Sequence, residues 1–287
     1  MANLKEIRNR IASVSSTMQI TSAMKMVSAA KLKKAQDAIT AMRPYANKLT
    51  ELIQSLSGSL DGDGQNPYTQ QRGEENILII SVTSNRGLCG AFNTNIIKET
   101  LRWAKEKYAG KNVEVMGIGK KGGDILSKSL ILKSRHDAIY DDLSFGNTAE
   151  IALQAMDAFA QGQYDKVILV YNRFKNAATQ LVTSEQFLPI VAEQNTAQQV
   201  SGDYIYEPSQ AEIVNELLPK SLKMQLFKAV RDSFASEHGA RMTAMHKATD
   251  NATELRDQLK LTYNKARQAA ITNEILEIVG GAEALNG

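Results

Sequence analysis

The chain has 287 residues, of which 43% are hydrophobic and 23% charged, so it can bury a substantial core and is neither disordered nor collagen-like. Its formal net charge of +3 is too small to indicate nucleic-acid binding, although residues 1–57 hold nine Lys and Arg against three Asp and Glu. Cys89 is the one cysteine, which excludes an intramolecular disulfide and favours a reducing compartment.

The first predicted element is a long helix over residues 1–57. Its apolar residues recur at alternating steps of three and four, and Thr21, Lys25 and Ser28 continue the same register. This heptad pattern is typical of a coiled coil, and at about 1.5 Å per residue the helix would be roughly 80 Å long. Pro44 predicts a kink or a loosening of the pair. The apolar seam consists of Leu4, Ile7, Ile11, Val14, Met18, Leu32, Ala35, Ile39, Met42, Ala46, Leu49, Ile53 and Leu56.

Strand and helix patterns alternate in the middle of the chain. Residues 58–76 are polar and rich in turn-forming residues, which predicts a linker. The order of patterns in residues 77–208 predicts an α/β domain with a largely parallel, Rossmann-like sheet. The predicted strands are 77–82, 113–118, 167–171 and 180–188, and the predicted helices are 92–108, 124–130 and 149–160.

A second long helix is predicted over residues 209–287. Ser209 and Glu212 form a capping-box pattern, and Pro219 suits the first turns. Because the first helix leads into the α/β domain and this helix leads out, the two can pair antiparallel with a left-handed supercoil. The predicted fold class is therefore α/β, with a long antiparallel two-helix coiled coil and an inserted Rossmann-like domain. The second seam consists of Ile213, Leu217, Met224, Phe227, Phe234, Met245, Ala248, Ala252, Leu255 and Leu259.

Matching the two seams predicts a register for the pair. In that register Lys25 faces Arg241, so two basic groups meet in the polar stretch of the seam. Such a pair costs free energy unless carboxylates or water from elsewhere offset it. The predicted facing pairs include Ile11 with Leu255, Met18 with Ala248 and Thr21 with Met245.

The predicted register leaves the last residues of the second helix without a partner, as a projecting tip. Residues 271–285 nevertheless carry apolar side chains around much of the helix. Residues 20–32 are likewise apolar or small on nearly every side. Because a lone helix with so wide an apolar surface is unfavourable in water, both stretches are expected to be enclosed by other protein.

One glycine pattern could bind a dinucleotide. Gly117, Gly119 and Gly122 match G-x-G-x-x-G after a predicted strand, and Asp141 lies near the distance expected for a ribose-binding carboxylate. The strand is the second of its domain and the following helix is short, so a glycine-rich turn is the simpler interpretation. A nucleotide-dependent α/β enzyme using residues 117–122 is one alternative, which binding of NAD or ATP would favour.

Other candidate sites are weaker. Residues 83–93 could wrap a phosphate, but no P-loop motif is present and turn or packing roles fit better. The histidines His136, His238 and His246 lack metal-ligand spacing, and the basic N-terminal segment lacks interleaved aromatic residues. We expect no catalytic site, cofactor, metal or nucleic acid, and neither a signal peptide nor direct membrane insertion.

Three separated segments resemble the γ subunits of F-type ATP synthases. Residues 20–32 (ITSAMKMVSAAKL) resemble their N-terminal helix signature, residues 83–93 (TSNRGLCGAFN) their central loop, and residues 271–282 (ITNEILEIVGGA) their C-terminal signature. The resemblance implies a non-catalytic central rotor that couples proton flow through a membrane c-ring to ATP synthesis or hydrolysis on β subunits. It implies a hexamer of α and β subunits, an ε subunit and the c-ring as partners. It also implies a peripheral location on the cytoplasmic side of a bacterial membrane.

The resemblance further implies coupling contacts with the β subunits. An acidic lever on each β subunit bears on the shaft in this family, and a β collar encloses its end. The positions that match are Met24, Lys25 and Arg241 for the lever, and Gln268, Thr272, Glu274 and Glu277 for the collar. A coiled-coil scaffold that does not rotate is the second alternative, which a stable homodimer would favour.

Overall fold

The computed structural model describes residues 4–57, 66–190 and 210–286. These residues form two compact units. The paired-helix unit comprises residues 4–28 and 242–286, and the domain unit comprises the described residues between 29 and 241. Helix α1 spans Leu4–Ser57, and the last helix, α5, spans Gln210–Asn286, so each helix contributes to both units. Most of the predicted linker, residues 58–65, lies outside the described residues.

The two helices of the paired-helix unit run antiparallel. Thr21 Oγ1 lies 2.8 Å from Thr249 Oγ1. Closer to the start of α1, Arg8 donates a hydrogen bond of 2.8 Å to the hydroxyl of Tyr263 and lies over its ring. The predicted seam of this part of α5 is confirmed at Met245, Ala252 and Leu259, whereas the predicted Leu255 is 42% exposed. Less exposed positions that step by three and four in turn are Met245, Thr249, Ala252, Arg256, Leu259, Tyr263 and Ala266.

The predicted register of this pair was wrong by one helical turn. Thr21 contacts Thr249, whereas Met245 was its expected partner. Counting along both seams from this contact places Ile11 opposite Leu259, while the predicted partner Leu255 is 42% exposed. Two seams that step by three and four match almost equally well after a shift of one turn. Apolar pattern alone therefore favoured Leu255 over its neighbour Arg256, which reaches Met18 Sδ at 3.5 Å.

A five-stranded sheet forms the centre of the domain unit, in the order β3-β2-β1-β4-β5. Neighbouring strands are parallel except for β5, which pairs antiparallel with β4 at one edge. The predicted α/β fold class with a largely parallel sheet is confirmed. The strands are β1 Asn76–Val82, β2 Asn112–Ile118, β3 Ile131–His136, β4 Lys166–Phe174 and β5 Gln180–Leu188.

Three helices connect these strands: α2 Phe92–Arg102, α3 Lys120–Leu126 and α4 Phe145–Ala160. A π-helical segment, Trp103–Lys107, continues α2 to the end of the predicted helix. The helix predicted over 124–130 begins four residues earlier, because Gly119 at φ +94° lets the chain turn directly out of β2. Strand β3 was not predicted, because it is an edge strand in which only Ile131 and Leu132 are apolar and the last four residues are polar.

Side chains of β1 point alternately to the two faces of the sheet, as expected for a strand. Leu78, Ile80 and Val82 lie in the larger core with residues of α4 and α5. Ile77 and Ile79 face the opposite side, in a smaller core with residues of α2. Both faces are covered, which explains why the sequence of β1 is a continuous apolar run.

Helix α5 belongs to the larger core of the domain unit. Leu222, Leu226 and Val230 follow one another at helical spacing and are 0–2% exposed. The predicted seam residues Met224 and Phe227 are only partly buried. This second apolar face of α5 was not predicted, because a single seam was expected on the helix.

Candidate functional site

The segment of residues 83–93, here called the central loop, connects β1 to α2 and is anchored at several points. The Tyr140 hydroxyl donates to Thr83 O at 2.6 Å. At the other end, Ser84 N donates to Asn93 Oδ1 at 2.9 Å. Between these bonds, Cys89 is buried in an apolar cluster with Phe92 and with Ala240 of α5.

The tip of the central loop faces solvent. The side chains of Arg86 and Leu88 are exposed, and Leu88 has 65% of its surface accessible. Leu88 also adopts φ +61° and is the one residue other than glycine with positive φ among the described residues. That conformation costs a leucine of order 1–3 kcal/mol and persists only where its surroundings enforce it. The surrounding structure therefore holds the tip in a backbone conformation that is unfavourable for the isolated segment.

The side chain of Arg241 on α5 donates hydrogen bonds to the backbone of this tip. Its Nη2 donates to Arg86 O and to Gly87 O, both at 3.2 Å. On the other side, Arg241 Nη1 lies 2.6 Å from Glu237 Oε1, and the two side chains are only 9% and 8% exposed. Arg241 was expected to meet Lys25 with no carboxylate identified beside it, and the structure supplies one. Glu237, one turn earlier on the same helix, neutralises Arg241.

His238 lies beside this ion pair and is 5% exposed. Its Nδ1 is 3.4 Å from Arg241 Nη1, its ring packs edge-on against Phe234, and its Nε2 has no hydrogen-bond partner in the described chain. Burial, with the positive charges of Arg241 and Lys31, lowers the pKa of His238 to about 3. His238 is therefore neutral at pH 7. Burial also raises the pKa of Glu237, and the neighbouring Arg241 opposes that rise.

The glycine pattern of residues 117–122 is used for close packing. A Cβ on Gly119 would lie 2.1 Å from Thr83 O, and one on Gly122 would lie 2.6 Å from Thr83 Oγ1. The backbone N–H groups at the start of α3 are also bonded within the chain, Lys120 to Asn85, Lys121 to Ser84 and Gly122 to Thr83. These donors are the ones that would hold a pyrophosphate, so the geometry favours the glycine-rich turn over the dinucleotide loop.

The crevice at the carboxyl ends of β1 and β4 is where doubly wound sheets usually bind ligands. In this chain α5 lies there. Ser236 donates to Asn172 O at 3.1 Å, and a Cβ on Gly239 would approach Ala177 O to 3.0 Å. With Arg241 bonded to the central loop on the β1 side, the helix fills the crevice.

The other sequence-predicted contact residues lie on the long helices. Met24 and Lys25 are half-buried on α1 in the paired-helix unit. Four more are exposed on α5: Gln268, Thr272, Glu274 and Glu277. They alternate with large apolar residues that are 47–66% exposed, namely Ile271, Ile275, Leu276, Ile278 and Val279. Residues 268–279 are called the helix end below.

No helix in the described ranges is long and apolar enough to cross a membrane. No three His, Cys, Asp or Glu side chains in those ranges come together as metal ligands.

The exposed apolar helix end is typical of a subunit of a larger protein assembly. The crevice where a doubly wound domain would bind a ligand is filled by the last helix of the chain, which also favours this class of protein over an enzyme. Comparison with known proteins gives the particular family. A family model described as ATP synthase matches residues 3–285, and the chain belongs to that family.

Relatives and solved structures agree with this assignment. The chain is 68% identical over 287 residues to the ATP synthase gamma chain of Flavobacterium psychrophilum, covering 100% of both chains. It is similar to a chain of the Tetrahymena thermophila mitochondrial ATP synthase central stalk and c-ring, with 29% identity, a TM-score of 0.63, and coverage of 80% of this chain and 99% of that one. A chain of the Euglena gracilis mitochondrial ATP synthase shares the fold, with 23% identity, a TM-score of 0.72, and coverage of 98% and 94%.

Proposed function

We propose that this chain is the central rotor shaft of a bacterial F-type ATP synthase and has no catalytic role of its own. It couples proton flow through a membrane c-ring to ATP synthesis or hydrolysis on the β subunits of an α/β hexamer. The observation that carries the proposal is the helix end, where five large apolar side chains are 47–66% exposed. Such a helix requires surrounding protein, and a ring of subunits enclosing it supplies that protein.

In the proposal, coupling depends on unequal contacts between the single shaft and the β subunits. One chain inside a ring of repeated subunits cannot make the same contacts with every β subunit. Rotation therefore presents a different face to each nucleotide site in turn. A contact that differs between the conformations of a β subunit shifts the equilibrium between them, which is what coupling requires.

Two sets of side chains make these contacts in the proposal. Met24 and Lys25 meet the acidic lever of a β subunit. Lys25 offers a positive charge within residues 20–32, where the other residues except Lys31 are apolar or small. The exposed polar residues of the helix end meet the β collar: Gln268, Thr272, Glu274 and Glu277. Arg241, the third position matched to the lever, is buried and bonded to the backbone of the central loop.

The proposal extends to the remaining partners and to the location of the chain. The chain binds an ε subunit and the c-ring in addition to the hexamer. It is a peripheral component on the cytoplasmic side of the bacterial membrane, attached through these partners.

Removal of the helix end tests the proposal. A chain ending at Ala270 should unfold in urea at the same midpoint as the full chain, because the side chains of residues 271–282 are exposed and stabilise the chain little by themselves. Its assembly with α and β subunits, measured by size-exclusion chromatography, should be weaker, and ATP-driven proton pumping should fall. Undiminished assembly and pumping would contradict enclosure of the helix end, and a lower unfolding midpoint would make it part of the core.

A further inference from the structure

The Glu237–Arg241 ion pair is a buried feature that direct contact with the hexamer does not explain. Both side chains are more than nine-tenths buried. Burial of two charges costs desolvation energy that an apolar pair of similar size would avoid. The bonds made by Arg241 indicate a geometric role for the pair.

We propose that Glu237 and Arg241 are positioning residues that hold the central loop on α5 and fix its exposed tip for coupling. Arg241 donates to two successive carbonyl oxygens, those of Arg86 and Gly87. Two acceptors on one guanidinium group define the orientation of the tip as well as its distance, which a single-point donor cannot do. The inference rests on the proposed function, because the tip matters for coupling only in a rotor.

Glu237 sets the direction of the guanidinium group. Its carboxylate lies 2.6 Å from Nη1, so Nη2 and Nε are left directed toward the loop carbonyls. Without that charge Arg241 would be a cation buried without a counterion, and it would turn toward solvent. Both members of the pair are therefore required, and either one can be changed to test the inference.

Leu88 shows that the tip is under constraint. It follows directly after the two held carbonyls and has φ +61° with its side chain in solvent. Released from Arg241, the residue should relax to negative φ and move the exposed side chains of Arg86 and Leu88. The next residue, Cys89, is 2% exposed and would be uncovered by the same movement.

Cys89 thus provides a reporter for the loop, because it is the one cysteine in the sequence. Burial raises the pKa of its thiol, so a thiol reagent should label the full parent chain slowly. Arg241→Lys keeps the charge but loses the two-point hold, and we expect its labelling to be about tenfold faster or more. Glu237→Gln should behave in the same way and serves as the second variant.

The matched control is Glu216→Gln. Glu216 and Lys220 form an ion pair with the same spacing on the same helix, but their side chains are 70% and 50% exposed. This control should label at the parent rate. Labelling should also be independent of urea below the unfolding transition, because local opening exposes little surface whereas a general loss of stability would give a urea-dependent rate.

Coupling is then measured in the assembled complex as protons pumped per ATP hydrolysed. The inference predicts a lower ratio for Arg241→Lys and for Glu237→Gln, and the parent ratio for Glu216→Gln. Parent-rate labelling of both Arg241→Lys and Glu237→Gln overturns the inference, and so does faster labelling with an unchanged pumping ratio. In either case the proposed function stands as long as pumping by the parent complex depends on this chain, and it fails if pumping does not.

Discussion

Two buried side chains give the domain unit opposing responses to pH. Asp232 is 6% exposed, and burial raises its pKa from the ordinary 3.8 to about 6. The native state therefore keeps a proton that the unfolded chain releases, and stability falls as the pH rises from about 4 to 6. His238, with its pKa lowered from 6.5 to about 3, stays neutral while the unfolded chain takes up a proton, so its contribution falls as the pH is lowered below 6.5.

Replacement of Asp232 should remove its contribution to the pH dependence of stability and leave the contribution of His238. For Asp232→Asn, the free energy of unfolding relative to the parent should increase by about 1–3 kcal/mol between pH 4 and pH 7. For His238→Gln, the free energy of unfolding relative to the parent should increase as the pH falls, which is the opposite direction. Urea unfolding at intermediate pH values measures both. If the free energy of unfolding of a variant relative to the parent is the same at every pH, the pKa shift of the replaced residue is contradicted.

Gly119 is required for the fold at the turn between β2 and α3. With φ +94° and Thr83 O only 2.1 Å from the position of a Cβ, Gly119→Ala should destabilise the domain unit by about 3 kcal/mol or more. Gly146→Ala is the matched control, since its Cβ would meet nothing within 4 Å, and it should be neutral or stabilising by up to about 1 kcal/mol. Urea unfolding midpoints compare the two, and equal effects would refute close packing as the reason for the glycine.

At the scale of elements, the register of the paired helices can be tested by disulfide formation. With Cys89 changed to Ser, Ile11→Cys should oxidise readily with Leu259→Cys, because the observed register places them opposite each other and bridged Cα atoms lie within about 7 Å. Ile11→Cys with Leu255→Cys, the pair expected from the sequence, should oxidise more slowly. Non-reducing gel electrophoresis over time compares them. Faster oxidation of the second pair would restore the sequence-based register.

The sequence determines element types here better than their partners. Heptad steps and the apolar run of β1 predicted the long helices and the parallel sheet, because local periodicity reports which face is buried. The same periodicity could not decide between registers one turn apart, where Thr21 and Thr249 make a hydroxyl contact without an apolar signal. Strand β3 was missed because its edge position requires little apolar sequence.

The candidate site was predictable only in part. The central loop and the helix end were singled out from motifs and from unpaired apolar residues. The role of Glu237 was missed, because its contact with Arg241 looks like any helical pair four residues apart until burial is known. The helical spacing of Leu222, Leu226 and Val230 is a sequence signal that indicates the second buried face of α5.

At the scale of the whole molecule, we propose that this chain turns inside a ring of subunits. The chain has long helices, a crevice filled by α5 and an exposed helix end. These features agree with a subunit that transmits rotation to the catalytic sites of other subunits. Rotation requires that no covalent bond join shaft and ring. A bond within the shaft is permitted.

A cleavable photo-cross-linker attached at Met24→Cys, in a chain with Cys89→Ser, measures this most directly in the assembled complex. Bonding of Met24→Cys to a β subunit should stop ATP turnover, and chemical cleavage of the linker should restore it. The internal Ile11→Cys and Leu259→Cys bridge, which ties the shaft only to itself, should leave most of the turnover intact. Turnover that continues at the unbridged rate while the shaft is bonded to a β subunit would contradict the rotor function of this chain.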